Sequence, residues 1–328
     1  MRIGVVGAGS IGGLIGVSLA AGGHHELSVL ARGATLAALR TGPWKLVSGE
    51  RTLEAEVAAS DDPNELGIQD IVVIALKGPS LASAAAAIAA LIGERTVIVP
   101  AMNGLPWWFL LEGGGELPPT RLDTLDPDGL IAAVIPFQSV LGCVVHASAS
   151  VITPGVVNHR AGNRLILGEP SRAHTTRLDE VANVFRSGGF DVEISNGIQR
   201  DIWYKLWGNM TMNPISAMTG TTCDLILDDP LVNSFVLSVM KEAAAVGARI
   251  DCHIDERGED RNEVTRRLGA FKTSMLQDVE SGRPLEIDHL LSAPNEIAER
   301  LAIETPNMHI LFGLIRLFAK SRGLYPVK

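Results

Sequence analysis

The run Gly7-Ala8-Gly9-Ser10-Ile11-Gly12 follows a short apolar stretch directly and opens a segment of small and apolar residues. Glycines at this spacing suit a dinucleotide. Gly7 permits a tight turn, Gly9 leaves room for a pyrophosphate to approach the backbone, and Gly12 lets helix and strand pack closely. Unpaired N–H groups of a helix start, at Ser10 and Ile11, then face the phosphates together with the positive dipole end. A glycine turn without a ligand is the plain alternative, and the position at the head of a strand–helix–strand unit speaks against it. About 20 residues past Gly12 a NAD-binding chain usually carries an acid for the ribose 2′-OH. Here that place holds Arg32, and the nearest acid, Glu26, lies at the other end of the apolar run. A guanidinium there meets a 2′-phosphate through charge-assisted hydrogen bonds, so NADPH is the expected cofactor; the alternative is a solvated loop cation. Lys77 and Asn103 follow two further apolar runs, 70–76 and 96–100, at strand ends where ligands of open α/β sheets bind.

A second constellation lies in Asp201-Ile-Trp-Tyr-Lys205-Leu-Trp-Gly-Asn209-Met-Thr-Met-Asn213-Pro214. At helical spacing Lys205, Asn209 and Asn213 fall within about 80° of arc, on one face. Their neighbours, Trp203, Leu206, Trp207, Met210 and Met212, are built for burial, so one ammonium and two amides there need partners. A snorkelling lysine with two structural asparagines is the plainer account. A third segment runs from Lys272 through Ser274, Asp278 and Gly282 to Pro284, Glu286 and Asp288. Gly282 ends one helix and Pro284 begins the next, which puts Glu286 in a first helical turn, where acids are favoured in any case.

The elements that must position these residues fall into two groups. Residues 2–6, 27–31, 70–76 and 96–100 read as buried strands, and 10–21, 35–40 and 80–91 as the helices between them. That alternation predicts a parallel sheet covered on both faces. Residues 44–57 suit a hairpin. Residues 130–169 read as short strands extending the first sheet, followed by a helix at 176–186 and a strand at 190–194. Beyond residue 196 the pattern turns helical, at 198–220, 231–250, 263–280, 286–303 and 307–321. The expected division is therefore residues 1–196, an α/β Rossmann dinucleotide-binding domain, and residues 197–328, an all-helical domain.

The net charge of -9 argues against binding a nucleic-acid backbone, which needs a basic surface. Three scattered cysteines without a CxxC pair fit a reducing cytoplasm, and each reads as a small buried residue. No signal-peptide pattern opens the chain and no uninterrupted apolar run is long enough to cross a bilayer. The eight histidines form no metal-ligand pair, and His24-His25 reads as a solvated turn. No metal or membrane is expected, and the apolar helical region suits a homodimer.

In this order, the glycine fingerprint, Lys77, Asn103-Gly104, Pro154-Gly155 with Gly168-Glu169, the WxKLxxNxxxNP segment and the SMLQDxxxGRPxEID segment resemble the ketopantoate reductase family over roughly residues 1–300. The last two motifs are specific to it. The resemblance implies a Rossmann domain followed by a helical domain similar to that of 6-phosphogluconate dehydrogenase, with the site in the cleft between them. It implies NADPH-dependent reduction of the 2-oxo acid ketopantoate to (R)-pantoate for pantothenate synthesis. Lys205 is then the general acid, giving a proton to oxygen as hydride reaches the adjacent carbon. Glu286 holds the reacting region of the substrate and is coupled to Lys205. Ser274 binds the substrate carboxylate, Asn209 and Asn213 orient its other polar groups, Asn103 stands near the nicotinamide, and Lys77 touches the cofactor. The residue types agree, since ketone reduction needs a positioned proton donor and takes its hydride from the cofactor.

One stretch departs from the family pattern. Leu291 stands where an asparagine is usual, and Pro294 follows close behind, so the lining of the substrate pocket is expected to differ. The departure keeps open a paralogue acting on another branched or aromatic 2-oxo acid, including one that oxidises the 2-hydroxy acid with NAD. A non-catalytic nucleotide sensor is the third reading, and the joint presence of Lys205, Ser274 and Glu286 argues against it.

Overall fold

A computed structural model describes residues 1–23, 25–267 and 269–326; His24 of the expected turn lies outside them. Contacts divide the chain into two units, Met1–Met102 with Gly129–Ile198, and Asn103–Asp128 with Gln199–Lys328.

The first unit begins with β1 (Arg2–Val6), α1 (Ser10–Gly22), β2 (Glu26–Leu30) and α2 (Gly33–Thr41). Next come β3 (Trp44–Ser48), β4 (Arg51–Ala55), β5 (Ala58–Ser60), α3 (Pro63–Leu66), β6 (Ile71–Ile74), α4 (Leu81–Ala89) and β7 (Val97–Pro100). Five strands form one parallel sheet in the order β5-β2-β1-β6-β7. The β6 sequence IVVI is buried at every position, as a strand covered on both faces requires.

The remaining elements are α5 (Leu130–Val134), β8 (Gly142–Thr153), β9 (Val156–Gly168), α6 (Thr176–Ser187) and β10 (Asp191–Ile194). They correct the sequence reading of 130–169. The short strands expected there are one small helix and two long strands, and these belong to a second sheet, β10-β9-β3-β4 with β8 on β9, rather than extending the first. The cause lies in α1, whose small apolar residues are buried on both sides and bring its Gly13 and Gly16 against Val157 of β9 and Trp44 of β3. An all-apolar helix needs a covering layer on each flank, and the second sheet supplies the outer one. Glu169, at the end of β9, is buried and bound by Thr175 and by the two-pronged guanidinium of Arg177, so its place in the motif is structural.

The second unit is helical: α7 (Ile198–Thr219), α8 (Cys223–Asp228), α9 (Pro230–Arg249), α10 (Gly258–Arg266), α11 (Ser274–Glu280), α12 (Ala293–Arg300) and α13 (Pro306–Ser321). α9 shows how sequence sets a helix start. Asp229 caps it by accepting from the amides of Leu231 and Val232, and Pro230 takes the first position. α9 is long and apolar enough to cross a membrane by length and composition alone. It carries Lys241 and Glu242 in its middle, buries Val236, Val239, Met240, Ala243 and Val246 in the core of the unit, and uses Glu242 to cap α13. The helix expected over 263–280 is two helices. Gly269, at φ 68°, stops the first, and Thr273 caps the second.

The stretch Asn103–Asp128 counts with the helical unit, not with the first 196 residues as expected. Trp107, Trp108, Phe109 and Leu110 are each about 1% exposed, and Phe109 stacks on Trp203 of α7 with ring centroids 6.1 Å apart. Burial of four large side chains dominates the placement of such a loop.

Candidate active site

Within the first unit, the three glycines have distinct physical reasons. Gly7 lies at φ 97°, and a Cβ there would meet the Ala75 carbonyl oxygen at 2.9 Å. A Cβ on Gly12 would lie 1.9 Å from the Gly7 carbonyl oxygen. The fold itself therefore requires glycine at both places. Around Gly9 no heavy atom lies within 4 Å of such a Cβ, so protein packing leaves that position open. Gly9 caps α1 without a side-chain hydrogen bond, and no acid stands in the first turn. The amides of Ser10, Ile11 and Gly12 precede the first intrahelical bond, Gly13 N–H to the Gly9 carbonyl at 2.8 Å. An open glycine before three unsatisfied amides and an uncompensated dipole is an anion cradle, and it fits a dinucleotide pyrophosphate.

Arg32 follows β2 as the cap of α2, is exposed, and is held by no carboxylate among the described residues. Lys77 follows β6, the strand that pairs with β1. Its Nζ is shielded from solvent.

Within the second unit, α7 runs unbroken from Ile198 through Pro214, which places Lys205, Asn209 and Asn213 on successive turns of one face. The opposite faces are anchored. Trp203 Nε1 donates to the Ala243 carbonyl at 3.2 Å, and Trp207 Nε1 to the Met240 carbonyl at 2.7 Å. Tyr204 donates its hydroxyl to Glu256, and burial pushes its phenol up, so that group is committed elsewhere. Lys205 Nζ donates to Asn103 Oδ1 at 2.9 Å in a part-buried setting. Asn103 thus meets the lysine from the far end of a loop that the stacked aromatics hold on the same unit. The side chains of Asn209 and Asn213 are hydrogen-bonded to no other described residue, and Asn213 is 6% exposed.

Glu286 is 8% exposed and lies just before the helical residues begin. This corrects the expected position. Pro284 sits in a non-helical link rather than at a helix start, and the Glu286 carbonyl accepts the first helical amide, that of Leu290, at 3.2 Å. The link and the helix after it are held by the C-terminal tail. Leu285 N–H donates to the Leu324 carbonyl at 3.0 Å, and the Tyr325 hydroxyl donates to Asp288 Oδ1 at 2.5 Å. Ser274 is exposed at the first position of α11, and no hydrogen bond among the described residues ties it to Lys205, Asn103 or Glu286. Leu291 is fully buried, so the apolar residue at the departing position serves the core. Among the described residues no three His, Cys, Asp or Glu side chains gather as a metal site.

A cation held by an amide oxygen, beside two unengaged amides on the same helix face, can stabilise a developing alkoxide and deliver a proton. Comparison with known proteins agrees in kind. The family model described as ketopantoate reductase PanE/ApbA matches residues 3–111, and that of the ketopantoate reductase PanE/ApbA C terminal matches residues 197–319. A 2-dehydropantoate 2-reductase of Mesorhizobium japonicum is 40% identical, over 99% of this chain and 100% of its own. Among solved structures, a chain from Ralstonia solanacearum MolK2 assigned to the ketopantoate reductases is 52% identical, with a TM-score of 0.95 and 99% of each chain covered. A 2-dehydropantoate 2-reductase from Geobacter metallireducens is 27% identical with a TM-score of 0.84, covering 97% of this chain and 100% of its own.

Proposed function

The chain belongs to the ketopantoate reductase family, and from that premise we propose that it reduces 2-dehydropantoate (ketopantoate) to (R)-pantoate with NADPH, the reductive step of pantothenate synthesis. The observation that carries the reading is the Lys205 ammonium on Asn103 at 2.9 Å, on a helix whose other faces are anchored by Trp203 and Trp207.

A bound nicotinamide supplies the hydride that reaches the carbonyl carbon of the substrate. Lys205 supplies the proton that reaches the carbonyl oxygen, so the ketone gains one hydride and one proton and leaves as the 2-hydroxy acid. Asn103 fixes the direction of the ammonium by accepting one of its three N–H bonds. Lys205 recovers its proton from solvent. Glu286 holds the reacting oxygen region, Asn209 and Asn213 orient the remaining polar groups, and Ser274 receives the carboxylate. Gly7, Gly9, Ser10, Ile11 and Gly12 form the pyrophosphate cradle, Lys77 touches the cofactor, and Arg32 meets the 2′-phosphate, which is the reason to read NADPH rather than NADH.

A cytoplasmic homodimer completes this reading, supported by a dimeric Staphylococcus aureus ketopantoate reductase of the same fold. A second reading, turnover of another branched or aromatic 2-oxo acid, draws on Leu291, apolar and buried where the family pattern has an asparagine. The test is oxidation of NADPH, followed by absorbance, against a panel of 2-oxo acids and repeated with NADH. Fast turnover of ketopantoate with NADPH is expected. A better substrate elsewhere in the panel replaces the first reading by the second.

A further inference from the structure

We propose that His289 is a positioning residue for the reaction: it clamps the loop that carries Asn103, and Pro294 frees the backbone group with which it does so. The proposal rests on the reading of Lys205 as proton donor, because Asn103 is the residue that aims the Lys205 ammonium.

The clamp starts from a defect in a helix. Asp288–Ser292 is a single π turn, in which the amide of Ala293 reaches back to the Asp288 carbonyl. In that register the His289 carbonyl would pair with the amide five residues on. That residue is Pro294, which has no N–H, while the α-type donor, Ala293, is already used. The His289 carbonyl is therefore left without a donor in its own helix, in a buried place where an unpaired carbonyl is costly. It accepts instead from the amide of Leu105 at 2.9 Å.

The side chain of the same residue closes the other half. His289 is 4% exposed, and its Nδ1 lies 2.9 Å from the Leu105 carbonyl oxygen, which can only accept, so Nδ1 carries a proton and donates. One residue thus takes both backbone polar groups of Leu105, two positions after Asn103. Between them stands Gly104, at φ 75°, where a Cβ would lie 2.5 Å from the His289 carbonyl oxygen and 2.7 Å from its Cβ. The close approach is possible for glycine alone. The sequence departure at 289–294 and the Asn103-Gly104 pair are two sides of one contact. Glu286 stands three residues ahead of His289, and its carbonyl accepts the amide of Leu290 within the same helix start. The proton donor's partner, Asn103, and the Glu286 backbone are therefore tied to one short helical segment.

A residue that acts through Asn103 loses its effect once Asn103 is gone. The experiment measures kcat, KM for the best 2-oxo acid of the panel, the NADPH dissociation constant by fluorescence, and Tm, on full-length His289→Leu, Asn103→Ala and the double variant. His289→Leu is expected to lower kcat at least about tenfold, with the NADPH constant within about twofold of the parent, and the double variant to be no slower than Asn103→Ala alone. If the two losses multiply, or His289→Leu keeps the parental kcat, the proposal is overturned. Should the Leu variant not fold, the pair His289→Asn and His289→Gln decides. The Asn amide can donate from the Nδ1 position and should keep most of kcat, the Gln amide cannot, and equal rates for the two contradict the clamp. Failure of the underlying reading looks different: Lys205→Ala then turns over substrate, whichever way the His289 and Asn103 losses combine.

Discussion

Lys205 donates a hydrogen bond of 2.9 Å to Asn103 across a separation of 102 residues, and both belong to the helical unit although Asn103 directly follows a strand of the first sheet. A free lysine side chain has four rotatable bonds and loses its aim in water; one charge-assisted hydrogen bond restores it at a value of about 1.5–3 kcal/mol. Replacing Asn103 by Ala is therefore expected to lower kcat about 10- to 100-fold while the KM for the 2-oxo acid changes less. Steady-state kinetics at saturating NADPH measures it. A pure KM effect would mean that Asn103 binds substrate without aiming the lysine.

Gly9 and Gly12 should respond oppositely to the same substitution. Gly12→Ala pushes a Cβ into the Gly7 carbonyl oxygen, 1.9 Å away, and is expected to cost stability on the order of several kcal/mol. Gly9→Ala meets no protein atom within 4 Å, so its Tm should stay near the parent value while NADPH binding weakens about tenfold or more. Thermal melts with and without NADPH separate the two cases. Unchanged cofactor affinity in Gly9→Ala would remove the pyrophosphate from that cradle.

Arg32 is exposed at the cap of α2, so its removal should leave the fold intact. Arg32→Ala is expected to raise the KM for NADPH about 10- to 100-fold and to leave that for NADH within about twofold, since only the former carries the 2′-phosphate. Equal losses with the two cofactors would assign the guanidinium to something other than the phosphate.

Cys223 is buried, and desolvation, aided by Asp224, pushes its thiol up to about 11. The neutral form is the one the fold favours. That contribution to stability is complete below the thiol's unfolded value and is lost as pH rises from there through about 11. At pH 8 the native protein should therefore leave this thiol unreactive toward an aromatic disulfide, and urea should expose it. Rapid labelling of Cys223 in the native state, read by peptide mass, would contradict the buried placement.

Most of what positions the site was legible in the sequence where a residue type has one physical use. The glycine fingerprint, the apolar strands and the Lys205–Asn209–Asn213 face depend on local spacing, and local spacing is what a sequence displays. What escaped it depends on partners distant in the chain. Residues 142–168 read as fragments of the first sheet because their alternation fits any half-covered sheet, and only the burial of α1 on both flanks decides that they form another. Pro284 suggests a helix start that would hold Glu286; instead the amide of Leu285 bonds to the Leu324 carbonyl, and that stretch stays outside the helix. The role of Leu291–Pro294 was visible as a departure and not as a π turn, since nothing local shows that the His289 carbonyl finds its donor at Leu105.

The most direct test of the central claim is the turnover of Lys205→Ala with NADPH and ketopantoate, measured beside its affinity for NADPH. A positioned general acid contributes about a hundredfold or more, so kcat should fall by at least that factor while the NADPH dissociation constant stays within about twofold of the parent. A variant that keeps turnover within about threefold of the parent would contradict the account, because the proton would then come from another group.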